Sequence, residues 1–415
     1  MSPITNEIFI LPLSLIMFKN ILGDIEAGVG KPLKFNLMYP SMSSLNFTEL
    51  ATRHGYVSEQ HTVITEDGYI LTMFRITKGR HCRRPIRKPP VLLMHGLLMS
   101  SDSFLDSGPN AGLGYLISDL CYDLWLPNIR GNYYSRRHIN LDPDVDKDFW
   151  DFSNLEFGYY DIPASIDYIL RHTKSTKLNY IGFSQGGGTF VIMNSKRPEY
   201  MKKTGVAILL APGTKHTYTR STLFRLLCET YLLYFPLLTD IGEYEALPLG
   251  GIVQKLSAFL CKDTIIASSG CRLALGLLYG PHPGSMETET VKVLFQHFPA
   301  GTSVKNMAWY GQSVNIDAFQ NFDYGAIKNL QVYGSVQPPA FNLSLVEVPI
   351  VIIHGRNDFL ASPADIEWLA SKLPNLLEDF YVEEPLWNHF DVTYSRLTSK
   401  YILPKISEYL KKYSH

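Results

Sequence analysis

One serine of this sequence lies in a pattern that is typical of a catalytic nucleophile. Ser184 stands between Gly182 and Gly186 in the pentapeptide GFSQG. A Gly-x-Ser-x-Gly turn presents the serine hydroxyl at a sharp bend between a strand and a helix, where small neighbours avoid steric contacts. An apolar run at 178–181 precedes the turn, and a helical pattern at 187–194 follows it. We therefore predict that Ser184 is the nucleophile of an enzyme that cleaves esters.

A serine nucleophile needs a general base, and the base needs an acid that orients it. In folds with this type of nucleophile turn, the chain order is serine, acid, histidine. Asp358 follows a strand pattern at 348–353, and His389 follows a last short apolar run at 380–382. We predict that Asp358 is the orienting acid and that His389 is the base.

Three other residues are alternatives for these roles. Asp365 follows Pro363, and this order is more typical of the first turn of a helix. Asp391 is more easily interpreted as a structural residue next to the predicted base. His354 ends a strand pattern, a place where a buried, hydrogen-bonded histidine is the commoner outcome.

An acyl-transfer site also needs N–H groups that stabilise the developing oxyanion. One of them is expected on the residue after the nucleophile, which is Gln185. The other is expected in a loop after an early strand, and His95-Gly96-Leu97 follows the apolar run 91–94. We predict that the backbone N–H groups of Leu97 and Gln185 form the oxyanion hole.

The elements that must position these residues alternate between strand and helix patterns. Short apolar runs are typical of strands buried on both faces of a parallel sheet, and strands alternating with helices indicate βαβ units. A hairpin pattern precedes them, with its turn at Glu66-Asp67-Gly68. The sequence predicts an α/β-hydrolase fold, with a mostly parallel central sheet flanked by helices. The strand patterns lie at 90–94, 122–126, 177–181, 207–210 and 348–353.

The alternation stops between residues 213 and 345. We predict that 213–345 is a mainly helical cap inserted between two parts of the hydrolase core, 24–212 and 346–415. An apolar stretch at 223–238 begins this insertion. It is expected to supply an acyl-binding groove, although part of it must also be plain helix core. The candidate groove residues are Leu223, Phe224, Leu226 and Leu227.

Composition limits the class of protein. The chain has 415 residues, of which 46% are hydrophobic and 19% charged, so it can bury a large core. A net charge of −1 argues against a nucleic-acid partner, because nucleic-acid-binding domains are usually basic. The five cysteines have no spacing typical of a zinc site. Cys261 and Cys271 are close enough in sequence for a local disulfide, and the odd count leaves at least one thiol unpaired.

The N-terminal region indicates the secretory route. The apolar stretch 8–18 is too short to span a bilayer and is typical of a signal peptide, which we place at 1–23. A buried N-terminal helix is the alternative, because no basic residue precedes the stretch. No other segment has a transmembrane pattern. Asn46 and Asn342 begin Asn-x-Ser/Thr sequons and are candidate glycosylation sites.

Taken together, these segments resemble the acid lipase family, which includes gastric, lysosomal and insect lipases. The resemblance extends from about residue 46 to 395. It implies hydrolysis of triacylglycerols or sterol esters at a lipid–water interface, under a mobile cap, by a glycoprotein that is secreted or lies in the lysosomal lumen. It implies no cofactor and no metal. The segments that carry it include TEDGYIL at 65–71, HGLL at 95–98, PAGTSVKNM at 299–307, NDFLA at 357–361 and NHFD at 388–391.

Three departures from the family pattern, and two rival functions, accompany this resemblance. One departure is the atypical N-terminal stretch described above. The family usually has His before the nucleophile, where this chain has Phe183, so we expect altered tuning or specificity. Tyr279 occupies the place of a second cap cysteine of gastric-type members, so Cys261–Cys271 is expected as a substitute disulfide. The rival functions are a non-catalytic lipid-binding or storage protein and an esterase for smaller esters.

Overall fold

The computed structural model describes residues 45–80, 82, 89–261 and 265–414. The predicted signal peptide at 1–23 therefore lies outside the described residues. The same is true of residues 24–44 of the predicted N-terminal core segment.

A mixed sheet of eight strands forms the centre of the described chain, in the spatial order β1-β2-β4-β3-β5-β6-β9-β10. The hairpin β1–β2 is antiparallel, β2 pairs antiparallel with β4, and all other neighbours are parallel. Two short strands, β7 and β8, pair separately. The strands are β1 (Val57–Ile64), β2 (Ile70–Lys78), β3 (Val91–Met94), β4 (Leu124–Pro127), β5 (Leu178–Phe183), β6 (Thr204–Leu210), β7 (Glu245–Ala246), β8 (Thr302–Ser303), β9 (Ile350–His354) and β10 (Leu376–Tyr381).

The inner strands form because their residues are apolar on both faces. Every residue of β3, β4, β5 and β9 is buried. This is the burial expected of parallel strands that are covered by helices on both sides. The carboxyl ends of β3, β5, β6 and β9 therefore meet at one edge of the sheet, where ligand sites of such folds lie.

Helices flank the sheet and fill the region between β6 and β9. A π-helical turn, Phe157–Asp161, joins α3 to α4. None of the described helices is long and apolar enough to cross a bilayer. The helices are α1 (Phe47–Arg53), α2 (Leu113–Asp119), α3 (Asn154–Glu156), α4 (Ile162–Thr173), α5 (Gln185–Lys196), α6 (Thr222–Asp240), α7 (Ile252–Leu260), α8 (Ile265–Tyr279), α9 (Thr288–His297), α10 (Val304–Ser313), α11 (Ala326–Tyr333), α12 (Pro363–Lys372), α13 (Asp391–Tyr394), α14 (Thr398–Tyr401) and α15 (Leu403–Lys412).

The chain between β6 and β9 contains helices α6 to α11 and the two-stranded ribbon β7–β8. Helix α6 packs against α10, and α9 packs against α7 and α8. We call this segment, 213–345, the cap. Its bounds remain those predicted from the sequence.

Two disulfides lie in the described chain. Cys261 and Cys271 form one of them inside the cap. Cys82 and Cys121 form the other, which sequence spacing did not indicate. Cys228 is a buried free thiol. Disulfides persist in oxidising compartments, so this pair of bridges fits an extracellular or luminal protein.

Candidate active site

Ser184 lies at the bend between β5 and α5, with φ 53° and ψ −118°. This left-handed conformation is unfavourable for a residue with a side chain and is found where packing enforces it. The flanking glycines allow that packing. A Cβ atom on Gly182 would lie 2.6 Å from the Gly186 carbonyl oxygen, and one on Gly186 would lie 2.7 Å from the Met94 carbonyl oxygen. The sharp turn therefore requires the two glycines of the motif.

The three residues predicted to act together are joined by hydrogen bonds. His389 Nε2 lies 2.9 Å from Ser184 Oγ, and His389 Nδ1 lies 2.7 Å from Asp358 Oδ2. The other oxygen of Asp358 accepts the backbone N–H groups of Leu360, at 2.9 Å, and Ala361, at 2.8 Å. Because both carboxylate oxygens have donors, the carboxylate has one fixed orientation toward the histidine.

The sheet explains how residues so distant in sequence meet. Ser184 follows β5, Asp358 follows β9 and His389 follows β10, so each one comes from a loop at the carboxyl edge. In the register of the sheet, Leu209 of β6 pairs with both Gly182 and Ile352. Strand β6 is therefore the spacer between the strand before the serine and the strand before the acid.

The predicted oxyanion loop lies beside the nucleophile because β3 pairs with β5, with Met94 opposite Gly182. A Cβ atom on Gly96 would lie 3.1 Å from the Ser184 Cβ, so the loop approaches the serine closely. The left-handed residue of the loop is Leu98, with φ 59°, whereas glycine at 96 serves the close approach. The Leu98 carbonyl oxygen accepts the N–H of Ala300 in the cap at 2.7 Å.

The buried His95 side chain fixes this loop through hydrogen bonds at both ring nitrogens. Its Nδ1 lies 2.9 Å from the Gly96 carbonyl oxygen, and its Nε2 accepts the Ile129 N–H at 3.3 Å. Complete burial lowers the pKa of His95 to about 4, so the ring is neutral at physiological pH. A neutral ring matches these contacts, because one nitrogen donates and the other accepts.

The alternative residues have other partners. Asp365 lies in α12 and accepts the Tyr218 N–H at 3.0 Å, and burial raises its pKa to about 7. Asp391 accepts the Asn388 N–H at 2.8 Å. His354 is buried, and its Nε2 lies 2.8 Å from Asp379. The only aspartate that the described hydrogen bonds join to the His389 ring is Asp358.

Comparison with known proteins gives the family. Two family models match, a partial alpha/beta-hydrolase lipase region at residues 47–108 and an alpha/beta hydrolase fold at residues 89–219. Lipase 1 of Drosophila melanogaster is 38% identical over 370 residues, which cover 89% of this chain and 80% of that protein. Gastric triacylglycerol lipase of Bos taurus is 37% identical over 352 residues, covering 84% of this chain and 87% of that protein. The chain belongs to the acid lipase family.

A third relative agrees with this assignment, and a solved structure shares the fold. The lysosomal acid lipase/cholesteryl ester hydrolase of Macaca fascicularis is 35% identical over 374 residues, covering 89% of this chain and 92% of that protein. A solved structure from Sulfolobus solfataricus, 13% identical, superposes with a TM-score of 0.54 and covers 86% of this chain and 94% of its own. The predicted family, the α/β-hydrolase fold and the enzyme class of an acid lipase are therefore confirmed.

Two cap residues of this acid lipase contact the candidate oxyanion residue, and sequence reasoning missed both. The Gln185 side-chain oxygen accepts hydrogen bonds from Asn306 Nδ2 and Tyr310 Oη, each at 3.1 Å. Both donors lie on α10 and are buried. Asn306 lies in segment 299–307, which resembles the acid lipase family, and this resemblance was the sequence feature that could have indicated its role. The cap therefore contacts the nucleophile turn through α10.

Phe183 and Tyr279, two of the departures from the family pattern, both lie beside His389. The Phe183 ring centroid is 4.9 Å from that of His389. The Tyr279 ring is nearly parallel to the His389 ring, at 6.2 Å. Two aromatic rings therefore border the imidazole in this acid lipase.

The predicted groove residues have different environments. Phe224 is buried, and its ring lies 5.9 Å from that of Tyr310, which contacts Gln185. Leu226 and Leu227 are half-buried, whereas Leu223 is 40% exposed. Phe224 is thus the candidate that approaches the nucleophile turn. Among the residues described, no cluster of three or more His, Cys, Asp or Glu side chains could hold a metal ion.

Proposed function

We propose that this acid lipase cleaves carboxylic esters of lipids through an acyl-enzyme on Ser184. The observation that carries the proposal is the relay from Ser184 Oγ through His389 to Asp358, at 2.9 and 2.7 Å. Both distances are hydrogen-bond lengths for proton transfer between a nucleophile, a base and its orienting acid.

Each residue has a distinct task in this mechanism. His389 takes the proton of Ser184 as the hydroxyl attacks the ester carbonyl, and the alcohol then leaves with that proton. Water next attacks the acyl-enzyme, with His389 again as the base, and releases the fatty acid. Asp358 keeps Nδ1 of His389 protonated, which leaves Nε2 free to accept.

The oxyanion of each tetrahedral intermediate needs donors fixed before the reaction begins. The backbone N–H groups of Leu97 and Gln185 are the proposed donors. Gln185 is the first residue of α5, so its N–H lies at the positive end of the helix dipole, which also favours negative charge. The contacts of Asn306 and Tyr310 with its side chain hold this residue in place.

Triacylglycerols or cholesteryl esters are the proposed substrates, as named for the gastric and lysosomal relatives. Leu223, Phe224, Leu226 and Leu227 are proposed to line the acyl groove. Replacing the half-buried Leu226 by Asn should weaken hydrolysis of long-chain esters more than of short-chain esters, because a long chain contacts more of the groove. Equal losses on both chain lengths would instead indicate a folding role.

An exposed apolar stripe on α7 supports action at a lipid–water interface. Its spacing places the side chains on one face of the helix, and each is between 43% and 55% exposed. An amphipathic helix of this kind binds a lipid surface through its apolar face. The stripe comprises Ile252, Val253, Leu256, Phe259 and Leu260.

The stripe can be tested with Leu256→Ser combined with Phe259→Ser. Activity on emulsified triacylglycerol should fall, while activity on a soluble short-chain ester stays near the unmodified level. Ile64→Ser is the matched control, because Ile64 is a similarly exposed residue on edge strand β1. Adsorption to lipid droplets is measured for the unmodified protein, the double variant and Ile64→Ser. Equal adsorption of these three proteins would contradict the assignment of the stripe to lipid binding.

A secreted or lysosomal location is proposed from three features. The disulfides fit an oxidising compartment, two relatives are named as gastric and lysosomal lipases, and both predicted glycosylation residues, Asn46 and Asn342, are exposed. Treating protein from a eukaryotic host with an N-glycosidase should lower its apparent mass. Asn46→Gln and Asn342→Gln should each remove part of that shift.

A serine-directed fluorophosphonate tests the proposed chemistry. The probe should label Ser184, and Ser184→Ala should lose labelling and ester turnover while keeping its thermal stability. Ser175→Ala, in the loop that precedes β5, is the control and should behave as the unmodified protein. Lipid binding without labelling would favour the storage protein, and turnover confined to small soluble esters would favour the alternative esterase. A panel of glycerides, sterol esters and short-chain esters from about pH 4 to 8 separates these outcomes.

A further inference from the structure

One turn of the cap lies between the loop of the acid and the loop of the base. The Tyr279 carbonyl oxygen accepts two backbone N–H groups, that of Phe359 at 3.3 Å and that of His389 at 3.5 Å. The Tyr279 ring also stacks on Phe390, with the ring centroids 3.4 Å apart. A single cap residue therefore contacts the neighbours of both the acid and the base.

The next residues of the turn continue this contact. The Gly280 carbonyl oxygen accepts Asn388 Nδ2 at 2.5 Å, and the Pro281 carbonyl oxygen accepts Asn357 Nδ2 at 2.8 Å. Gly280 has φ 105°, and a Cβ atom there would lie 2.1 Å from the Asn357 carbonyl oxygen. The backbone of the turn thus lies against the acid loop at a distance that only glycine permits.

His282 ends the turn and contacts the segment that carries the base. Its Nδ1 lies 2.6 Å from Asp391 Oδ2, which also accepts the Asn388 N–H at 2.8 Å. The Asn388 side-chain oxygen in turn accepts the Asp391 N–H at 3.0 Å. These bonds close a tight loop around His389, and His282 is its donor from the cap.

We propose that His282 is a positioning residue for the base His389 and that the cap turn Tyr279–His282 aligns the acid and base loops. This inference rests on the proposed function, since it assigns His389 the role of base. It makes the productive geometry of the reaction depend on contact between the cap and the two loops.

The magnitude follows from the geometry of the relay. His389 must keep both nitrogens at hydrogen-bond distance from Ser184 and Asp358 at the same time. Displacing a reacting group by about 1 Å can reduce the rate by about 100-fold. Without the His282 donor, the only described hydrogen bond that Asp391 Oδ2 keeps is the one from the Asn388 N–H. The segment that carries His389 can then shift by a fraction of about 1 Å.

The charges around His282 add a dependence on pH. Partial burial opposes the charged imidazolium, but the hydrogen bond to Asp391 and the charges of Asp391 and Glu384 outweigh it and raise the pKa of His282. On the adjoining segments, Arg396 donates to the Gly284 carbonyl oxygen and Tyr401 donates to Glu384. The ionic contact is complete below the ordinary histidine pKa and weakens as pH rises through the raised value.

The test compares His282→Leu, which removes the donor, with His282→Asn, whose amide can donate from a position near Nδ1. Phosphonate titration counts active sites, so kcat is expressed per titrated site and an unfolded fraction does not contribute. His172→Leu on α4 is the control for replacing an exposed histidine remote from the cap. Substrate is a soluble short-chain ester, and melting temperatures are recorded for all variants.

We expect His282→Leu to lower kcat per site by about 10- to 100-fold with little change in KM, because the residue does not touch substrate. His282→Asn should recover most of that loss and should lack the several-fold alkaline decline of kcat that we expect of the unmodified protein. Unchanged kcat per site in His282→Leu, or equal losses in Leu and Asn variants, would overturn the inference. If His282→Leu does not fold, the decisive comparison is the dependence of kcat on alkaline pH in the unmodified protein and in His282→Asn. An identical decline of kcat in these two proteins would refute the inference. Failure of the proposed function is distinct, because the unmodified protein would then not be labelled at Ser184.

Discussion

Replacing Asp358 by Asn tests the relay most sharply, because the surroundings dictate which way the new amide must face. Oδ1 of Asp358 accepts two backbone N–H groups, from Leu360 and Ala361. An amide NH₂ cannot replace an acceptor at that point, so the oxygen of Asn must stay there. Its NH₂ must then occupy the position of Oδ2, opposite Nδ1 of His389.

This orientation imposes the wrong tautomer on the base. An NH₂ group donates, so Nδ1 of His389 must become the acceptor and its proton must move to Nε2. Nε2 then donates and can no longer accept the proton of Ser184, which lies 2.9 Å away. Where a triad carries this change, the loss is about 10⁴-fold in kcat, or about 5 kcal/mol of transition-state stabilisation.

The assay is turnover of a soluble short-chain ester, corrected for active sites by phosphonate titration. The matched control is Asp365→Asn, a buried aspartate that the described hydrogen bonds do not join to His389. We expect it to keep kcat within about 10-fold, even if its stability changes. The reasoning would be refuted if Asp358→Asn kept kcat within about 10-fold of the unmodified protein. It would also be refuted if Asp365→Asn lost more kcat than Asp358→Asn.

Two further predictions concern stability. A Cβ atom on Gly188 would lie 1.9 Å from a backbone carbonyl oxygen. Gly188→Ala should therefore lower the free energy of unfolding, measured by denaturant titration, by about 3 kcal/mol or more. The control is Gly270→Ala, where the space is open, and it should be neutral or slightly stabilising. Burial opposes the charge on His297, but its pairing with buried Asp106, at 2.8 Å, raises the pKa of His297 well above its ordinary value. The contribution of His297 to stability should therefore be fully present below the ordinary histidine pKa of about 6.5 and should decline, by up to about 1.4 kcal/mol per pH unit, as pH rises toward the raised value. In His297→Gln this decline should be absent, and parallel pH dependences of unfolding in the two proteins would contradict the assignment.

The sheet could be read from the sequence because its inner strands are buried on both faces and are therefore continuously apolar. The pattern at 90–94 became β3 (Val91–Met94), and that at 348–353 became β9 (Ile350–His354). The order of the strands could not be read, because it depends on which helices cross the sheet. The relay residues could be predicted for a different reason, since this type of nucleophile turn fixes the chain order of its partners.

The cap was the least predictable region. Its helices do not alternate with strands, so no rule relates their order to their contacts. The hydrogen bonds from Asn306 and Tyr310 to Gln185 depend on where α10 lies above the sheet. The Cys82–Cys121 disulfide likewise closes 39 residues that only the folded core brings together.

The order in which the chain supplies the three relay groups governs when activity can arise during biosynthesis. Ser184 and His389 are 205 residues apart, and the base follows the last strand of the sheet. At synthesis rates of about 5 to 20 residues per second, Ser184 is made about 10 to 40 s before His389, its proposed base. During this interval a nascent chain carries its serine turn without the proposed proton acceptor. A product that ends before β10 lacks His389, and we expect it to have no esterase activity.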